Sequence, residues 1–449
     1  MIQELDRLPV DVSYGRVVRT TGLIVEAEGP GVWLGELCQI LVEDGRGGRC
    51  SEVWSEVVGF NGDRVMLMPF TEVAGLSPGA LVRASGTDLM VSTGAGLLGR
   101  VVDALGQPTD DRGSLGAVDR TRVTTEPPDP IRRPVIREAL PMGVKAIDAL
   151  LTCGRGQRIG IFAGAGVGKS TLLGMAVRGT SADVCVVALI GERGREVREF
   201  IDHDLGPEGL ARSVVVVVPS SESPILRIKG AITAITLAES FRDDGKDVLF
   251  VMDSLTRLAM ARREVGLAVG EPPTRGGYPP SVFSMLPRFL ERAGTAERGS
   301  ITGIYTVLVE GDDLSEPVAD AARGLLDGHV VLSRELAGLG HYPAIDVLRS
   351  VSRLMPRVAG PEHQELAQRA RQVLAEYAQI EDALHLGTYT PGADPKRDRI
   401  IAKRRGIMQF LRQRCEERWE LSSTLEQLKT ACKGKDRPRP ARPAGDDLD

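Results

Sequence analysis

The chain has 449 residues, 42% of them hydrophobic and 26% charged, which is the composition of an ordinary soluble protein of two or three domains. The formal net charge of −5 argues against a protein whose whole surface binds nucleic acid, although it does not exclude a local basic channel. The first residues lack the apolar core of a secretory signal, and no apolar run approaches the ~20 residues of a membrane helix. We therefore expect a cytoplasmic protein whose contact with any membrane is peripheral.

Short apolar stretches separated by glycine fill residues 15–98 and predict a small β-barrel, placed at 1–98. Aromatic and basic residues do not interleave there, which favours a structural role over ligand binding. Residues 99–134 are rich in proline and arginine and predict an extended connector. We assign this connector to the second domain, 99–360.

Strands and helices alternate from residue 135 to 356. The strand candidates are valine-rich and apolar throughout, as in parallel sheets buried on both faces. They lie at 158–162, 184–190, 214–218, 248–252, 301–309 and 329–332. The pattern predicts an α/β domain with a parallel sheet and helices on both faces, whose ligands bind at the carboxyl ends of the strands.

Beyond residue 360 the chain becomes charged and helical. Apolar residues recur at helical spacing in 364–384 and 398–428, so we predict a C-terminal helical domain over 361–432. Residues 433–449 are rich in proline, lysine and aspartate and predict a disordered tail.

The stretch 163–171 reads Ala-Gly-Ala-Gly-Val-Gly-Lys-Ser-Thr, between an apolar run and a helical pattern. Strand, glycine-rich loop and helix together form a phosphate-binding loop, because glycines let backbone N–H groups converge at a helix N-terminus. In this context Lys169 reaches the β- and γ-phosphates and Ser170 ligates Mg²⁺. The strict pattern of a phosphate-binding loop has glycine in place of Ala163. The alternative to a phosphate-binding loop is a glycine-rich turn that contains Gly-Lys-Ser by chance.

Three further residues are candidates for a metal-binding or catalytic role. Asp253 ends an apolar strand and is placed to hold Mg²⁺ or its water. Glu192 also follows an apolar strand, and its chemistry fits either a base that activates water or a salt-bridged turn. Arg353 fits an arginine finger, but a lone arginine is more often a surface residue.

Several long motifs in the same order resemble the rotary ATPase superfamily, and within it the type III secretion ATPases, in particular the flagellar protein-export branch. The resemblance covers about residues 15 to 430 and implies a RecA-like P-loop core. It is carried by residues 143–148, 163–171, 190–200, 253–257, 270–281 and 340–346.

The resemblance implies that the substrate is ATP with Mg²⁺. It also implies which residues bind the metal, which bind ATP and which act in catalysis. Ser170 and Asp253 match the positions near the metal, and Tyr342 matches an aromatic residue that stacks on adenine, with a packed loop tyrosine as the alternative. The implied ATP-binding residues are Gly164, Ala165, Gly166, Val167, Gly168, Lys169, Ser170, Thr171, Arg257 and Tyr342. The implied catalytic residues are Lys169, Glu192, Arg193 and Arg353, the last reaching into a neighbour's site.

Because Glu192 and Arg353 occur in one chain, each copy can serve as catalyst and as activator of its neighbour. This favours a ring of identical copies, six by analogy with the family. The Pro/Gly-rich stretch 270–281 matches a loop that faces a central coiled-coil stalk. The resemblance also implies a stator-like regulator, export substrates and chaperones, and peripheral contact with an export gate at the inner face of the cell membrane. No nucleic acid is expected.

Alternative functions remain open at this stage. An injectisome ATPase shares all of these motifs, although 215–224 and the helix after it favour the flagellar branch. The short segment before the first barrel strand, about 14 residues, counts the other way, because flagellar relatives often carry a longer amphipathic N-terminal segment that binds a stator-like regulator. An RNA-translocating hexamer also combines a barrel with this core, and the basic residues in 396–405 give it support. A non-catalytic ring subunit is disfavoured by the presence of both Lys169 and Glu192.

Overall fold

A computed structural model describes residues 13–43, 50–116, 118–123, 126–309, 311, 313–390 and 392–433. Its first six strands are β1 (Tyr14–Thr21), β2 (Ile24–Glu28), β3 (Leu37–Glu43), β4 (Cys50–Asn61), β5 (Arg64–Pro69) and β6 (Leu81–Ala84). They close into a barrel in the order β1-β2-β5-β4-β3-β6, so the predicted barrel fold is confirmed. Alternate apolar residues such as Val25 and Ala27 on β2 fill the barrel interior.

A nine-stranded sheet forms the centre of the described molecule. The remaining strands are β7 (Met90–Thr93), β8 (Val101–Val102), β9 (Asp119–Arg122), β10 (Arg158–Ala163), β11 (Val184–Ile190), β12 (Ser213–Val218), β13 (Asp247–Asp253), β14 (Gly294–Thr295), β15 (Ser300–Leu308), β16 (Gly328–Leu332) and β17 (Ile345–Ser352). The sheet order is β17-β16-β10-β15-β13-β11-β12-β8, parallel from β16 to β8. Two strands not predicted from the sequence run antiparallel, β17 beside β16 and β14 beside β15.

Helices cover both faces of this sheet and then form the C-terminal region. They are α1 (Lys145–Leu150), α2 (Lys169–Gly179), α3 (Gly194–Glu199), α4 (Gly206–Ala211), α5 (Pro224–Asp243), α6 (Leu255–Ala268), α7 (Pro280–Leu290), α8 (Pro317–Leu325), α9 (Arg334–Gly338), α10 (Met355–Val358), α11 (Pro361–His385), α12 (Pro395–Leu411) and α13 (Leu421–Lys433). None of the helices in the described ranges has the length and hydropathy that a bilayer crossing requires.

The apolar strands separate two hydrophobic cores, one on each face of the sheet. On β11, Val184 and Val186 point into one core while Cys185 and Val187 point into the other, as the period of two along a strand requires. The second core also contains apolar residues of the C-terminal helices, such as Ile407. The C-terminal helices therefore complete the core on one face of the sheet.

Two predicted segments differ from the structure. The connector 99–134 is not simply extended, because β8 joins the edge of the central sheet and β9 pairs with β7, which gives its backbone groups hydrogen-bond partners. The helical stretch predicted at 398–428 is two helices, and the loop 412–420 between them returns to the nucleotide-binding core. The tail predicted at 433–449 lies, except for Lys433, outside the described residues, as do residues 1–12.

Gly174 allows the segment after β11 to pack closely against α2. A Cβ atom at Gly174 would lie 2.4 Å from the backbone oxygen of Asp204, in the π-helical turn Phe200–Leu205. Since real contacts of this kind are much longer, an added methyl group would force the two segments apart.

We expect Gly174→Ala to destabilise the protein by roughly 1–3 kcal/mol, because overpacking displaces backbone. The matched control is Gly324→Ala on the exposed side of α8, where a Cβ atom meets nothing within 4 Å. That change should leave the thermal midpoint the same or raise it slightly. Equal midpoints for the two variants would contradict the close packing at Gly174.

Candidate functional site

The loop 164–168 joins the carboxyl end of β10 to the first turn of α2. Gly166 and Gly168 have φ angles of 77° and 88°, a left-handed conformation that favours glycine. A Cβ atom at Gly166 would meet nothing within 4 Å, so the backbone angle and not space requires glycine there. The N-terminus of α2, with its free N–H groups, therefore opens at this loop, and Ser170 and Thr171 lie in its first turn.

Lys169 joins the loop to the carboxylate that ends β13. Its Nζ lies 2.5 Å from Oδ1 of Asp253. The same oxygen accepts a hydrogen bond of 2.6 Å from the hydroxyl of Thr306, on the strand β15 that lies between β10 and β13. Thr306 was not predicted from the sequence, because a threonine in a buried strand carries no local signal of such a contact.

Glu192 approaches the same lysine from the adjacent strand β11. Its Oε1 lies 3.6 Å from Nζ of Lys169 and, within the described residues, accepts no hydrogen bond. Burial, followed by the negative charge of Asp253, raises the pKa of Glu192 to about 7. Burial lowers the pKa of Lys169, but the two carboxylates raise it by a larger amount. The net shift of the pKa is upward, and the lysine stays charged.

Arg257 lies beside Glu192 because Gly191 leaves it room. A Cβ atom at Gly191 would lie 3.0 Å from Cβ of Arg257, and the φ of this glycine is 73°. Ser254 caps α6 by accepting from the N–H of Arg257, which fixes the first turn of that helix. The Nε of Arg257 is buried and has no hydrogen-bond partner in the parts of the chain that the structure describes.

Two predicted catalytic residues do not point into the cluster formed by Lys169, Glu192 and Asp253, which we call the Lys169 cluster. The Arg193 side chain is 74% exposed and pairs with Glu196. Arg353 follows β17, and its N–H donates to the carbonyl of Asp327, which itself precedes β16. Because Asp327 pairs with Arg158 at the start of β10, Arg353 lies at the opposite edge of the sheet from the loop at 164–168. A strand of six residues spans about 20 Å, which separates Arg353 from the Lys169 cluster of its own chain.

Tyr342 lies over the loop. Its ring atoms are 3.6 Å from the position of a Cβ atom at Gly168, and the residue is 46% exposed. A cavity of about 850 Å³ opens beside it between α2 and the C-terminal region. This cavity is lined by Gly168, Thr171, Leu172, Met175, Gly340, Tyr342, Pro343 and residues 412–417. The contribution of 412–417 was not predicted from the sequence.

Comparison with known proteins places this geometry in a family. The model of the ATP synthase alpha/beta family, nucleotide-binding domain, matches residues 143–352, and that family's beta-barrel domain matches 17–86. The T3SS EscN ATPase C-terminal domain matches residues 359–430. The flagellum-specific ATP synthase of Bacillus subtilis is 50% identical over 92% of this chain and 94% of its own length. The chain belongs to the family of flagellum-specific ATP synthases and type 3 secretion system ATPases.

Other members of this family are about equally similar. The type 3 secretion system ATPase of Xanthomonas euvesicatoria is 49% identical over 95% of this chain and 96% of its own. The assembled ATPase EscN of enteropathogenic E. coli superposes with a TM-score of 0.87 at 45% identity, over 93% of this chain and 100% of EscN. Membership in this family makes the protein a nucleotide-binding ATPase, as the phosphate-binding loop predicted.

The raised pKa of Glu192 also predicts a pH-dependent stability. Ionising this carboxyl is harder in the folded chain than in the unfolded chain, so the wild type loses stability as pH rises from about 4.5 to about 7. Glutamine has no such titration, and Glu192→Gln should therefore be on the order of 1–3 kcal/mol more stable than wild type at pH 8. The difference should vanish below about pH 4, where the carboxyl is protonated in both states. Thermal midpoints across this range test it, with the exposed Glu297→Gln as control, and a pH-independent difference would contradict it.

Proposed function

We propose that this protein hydrolyses Mg²⁺-ATP at the cluster of Lys169, Glu192 and Asp253 and that the energy drives export of proteins through the flagellar type III apparatus. The observation that carries the proposal is the convergence of one ammonium and two carboxylates beneath a phosphate-binding loop. A triphosphate at the loop competes with Asp253 for the ammonium of Lys169. The backbone N–H groups of residues 164–171 hold its oxygens.

The residues also fit a magnesium ion. The hydroxyl of Ser170 and the carboxylate of Asp253 are hard oxygen ligands of the kind that Mg²⁺ prefers, and the ion usually keeps several waters. Bound Mg²⁺ would neutralise charge on the β- and γ-phosphates. Glu192 remains free for another role, because its buried Oε1 lacks a hydrogen-bond partner within the described chain.

Glu192 is the proposed base. A water oxygen attacks the γ-phosphorus, the bond from that phosphorus to the β,γ-bridging oxygen breaks, and the water proton passes to the Glu192 carboxylate. A pKa of about 7 suits this step, because the group is then largely ionised above neutral pH and still basic enough to accept a proton. Arg257 beside it supplies positive charge toward the phosphates. Arg193 pairs with Glu196 in this structure, so its proposed contribution requires that its side chain leave that partner.

Arg353 is proposed to act on a neighbour. Its position at the far edge of the sheet excludes it from the Lys169 cluster of its own chain, whereas a head-to-tail ring brings that edge to the next copy's loop. EscN is described as an assembled ATPase, and also in complex with its central stalk EscO. We propose the same for this chain: a homo-oligomeric ring, six by analogy, around a stalk that faces residues 270–281.

The remaining partners follow from the proposed export role. They are a stator-like regulator, export substrates with their chaperones, and an export gate that the ring meets at the inner face of the cell membrane from the cytoplasm. An injectisome role is the second candidate, because secretion-system relatives match as closely as flagellar ones. The two roles use the same chemistry and differ only in the proteins exported.

Glu192→Gln should retain ATP binding and lose about 10²–10⁴-fold in turnover, because water loses its base. In a strain lacking the wild-type gene, this variant should fail to restore secretion of flagellar rod and hook proteins, while Glu297→Gln restores it. Wild-type-like hydrolysis by Glu192→Gln would contradict the catalytic assignment. If the strain with Glu192→Gln lost needle-complex secretion but kept normal flagella, the injectisome role would replace the flagellar one.

Mixing two inactive variants tests the action of Arg353 on a neighbour. Arg353→Ala and Lys169→Ala should each be nearly inactive, because an arginine finger contributes about 10³–10⁵ in rate. Co-assembled at equal amounts, about one quarter of the interfaces pair an intact Lys169 with an intact Arg353 and should regain turnover. Arg405→Ala, on the exposed side of α12, is the control. Mixed rings no more active than either parent would refute the assignment.

A further inference from the structure

The loop 412–420 connects the C-terminal helices to the nucleotide-binding core. It leaves α12 at Arg412, lines the cavity beside Tyr342, and returns at the start of α13. Nothing in its composition marks a break, since the segment contains neither glycine nor proline. Its course is therefore fixed by the contacts that it makes with the core.

Gln413 makes three of these contacts and is only 6% exposed. Its backbone N–H donates to the carbonyl of Tyr342 at 3.0 Å. Its amide Nε2 donates to the carbonyl of Gly143 at 2.8 Å and to that of Glu417 at 2.9 Å, while Oε1 accepts from the N–H of Lys145 at 2.9 Å. The Gln413 side chain thus joins the start of α1 to its own loop, and in doing so it holds the Gln413 backbone N–H in place against the carbonyl of Tyr342.

A buried cation holds the same loop from the other side. The ammonium of Lys145 lies 5.6 Å from the ring centre of Phe410, in the last turn of α12, and 5.1 Å from that of Trp419, near the end of the loop. Such contacts contribute about 2 kcal/mol when desolvated. Because Lys145 belongs to α1, this clamp anchors the loop to the core and leaves Gln413 little freedom to move.

We infer that Gln413 is a positioning residue for the base end of the nucleotide site. It holds the carbonyl of Tyr342 against the start of α1, and thereby fixes the distance from the Tyr342 ring to the phosphate-binding loop at Gly168. This inference rests on the adenine role proposed above for Tyr342. Gln413 does not touch the phosphates, so its effect is confined to ligands that carry a base.

The experiment compares a ligand with a base and one without. Binding of Mg²⁺-ATP and of Mg²⁺-tripolyphosphate is measured for wild type, Gln413→Ala, the volume-conserving Gln413→Met, and the exposed control Gln409→Ala. We expect both Gln413 variants to bind ATP about tenfold more weakly, since a buried hydrogen-bond network is lost. Tripolyphosphate affinity and kcat should stay within twofold, and KM for ATP should rise.

A double-mutant cycle with Tyr342→Ala tests whether Gln413 acts through the tyrosine. If it does, adding Gln413→Ala to Tyr342→Ala changes ATP affinity little further. Additive losses, or equal weakening of ATP and tripolyphosphate, would overturn the inference and leave Gln413 a purely structural residue. An unchanged ATP affinity in the Gln413 variants, with a clear loss in Tyr342→Ala, would overturn the inference alone. An unchanged affinity in Tyr342→Ala would remove the adenine role on which it rests.

Discussion

The buried ammonium of Lys169 between two carboxylates is the interaction on which the site depends. Three parallel strands end at one edge of the sheet and bring the lysine, Asp253 and Glu192 together, where water is scarce and charges interact strongly. Burial, followed by the negative charge of Asp253, raises the pKa of Glu192, and the nearby cations Lys169 and Arg257 offset this rise only in part. The site therefore contains a carboxyl group whose pKa is near neutrality, and its excess negative charge attracts further positive charge.

The opposite edge of the sheet carries the complementary group. Arg353 lies there because β17 runs antiparallel to β16 and so carries the chain back to the start of β10. The folded subunit thus separates the Glu192 carboxylate from Arg353, the proposed finger, by the length of a strand. Complementary groups on opposite edges of one molecule favour head-to-tail contact, in which each copy offers one edge and receives the other.

Much of this could be predicted from the sequence, and what could not has a physical reason. Apolar runs and glycine spacing located the barrel strands and the core strands from β10 to β16, and the phosphate-binding loop located the site. Thr306 escaped prediction because its role depends on strand order, which no local pattern encodes. The helical periodicity of 398–428 hid the loop at 412–420, since the bonds of the Gln413 side chain to distant backbone and the contact of the Lys145 ammonium with the Trp419 ring override helix propensity there.

The direction of β17 has a further consequence for assembly. Under the proposed action of Arg353 on a neighbour, copies that stack in an open arc leave the last pocket facing solvent, with no arginine supplied from the next copy. Only a closed circle completes every pocket, so cyclic closure and full specific activity become one event. An arc that lacks a single member would lose turnover only in the pocket at the gap, so specific activity would rise with each copy added and reach its maximum on closure.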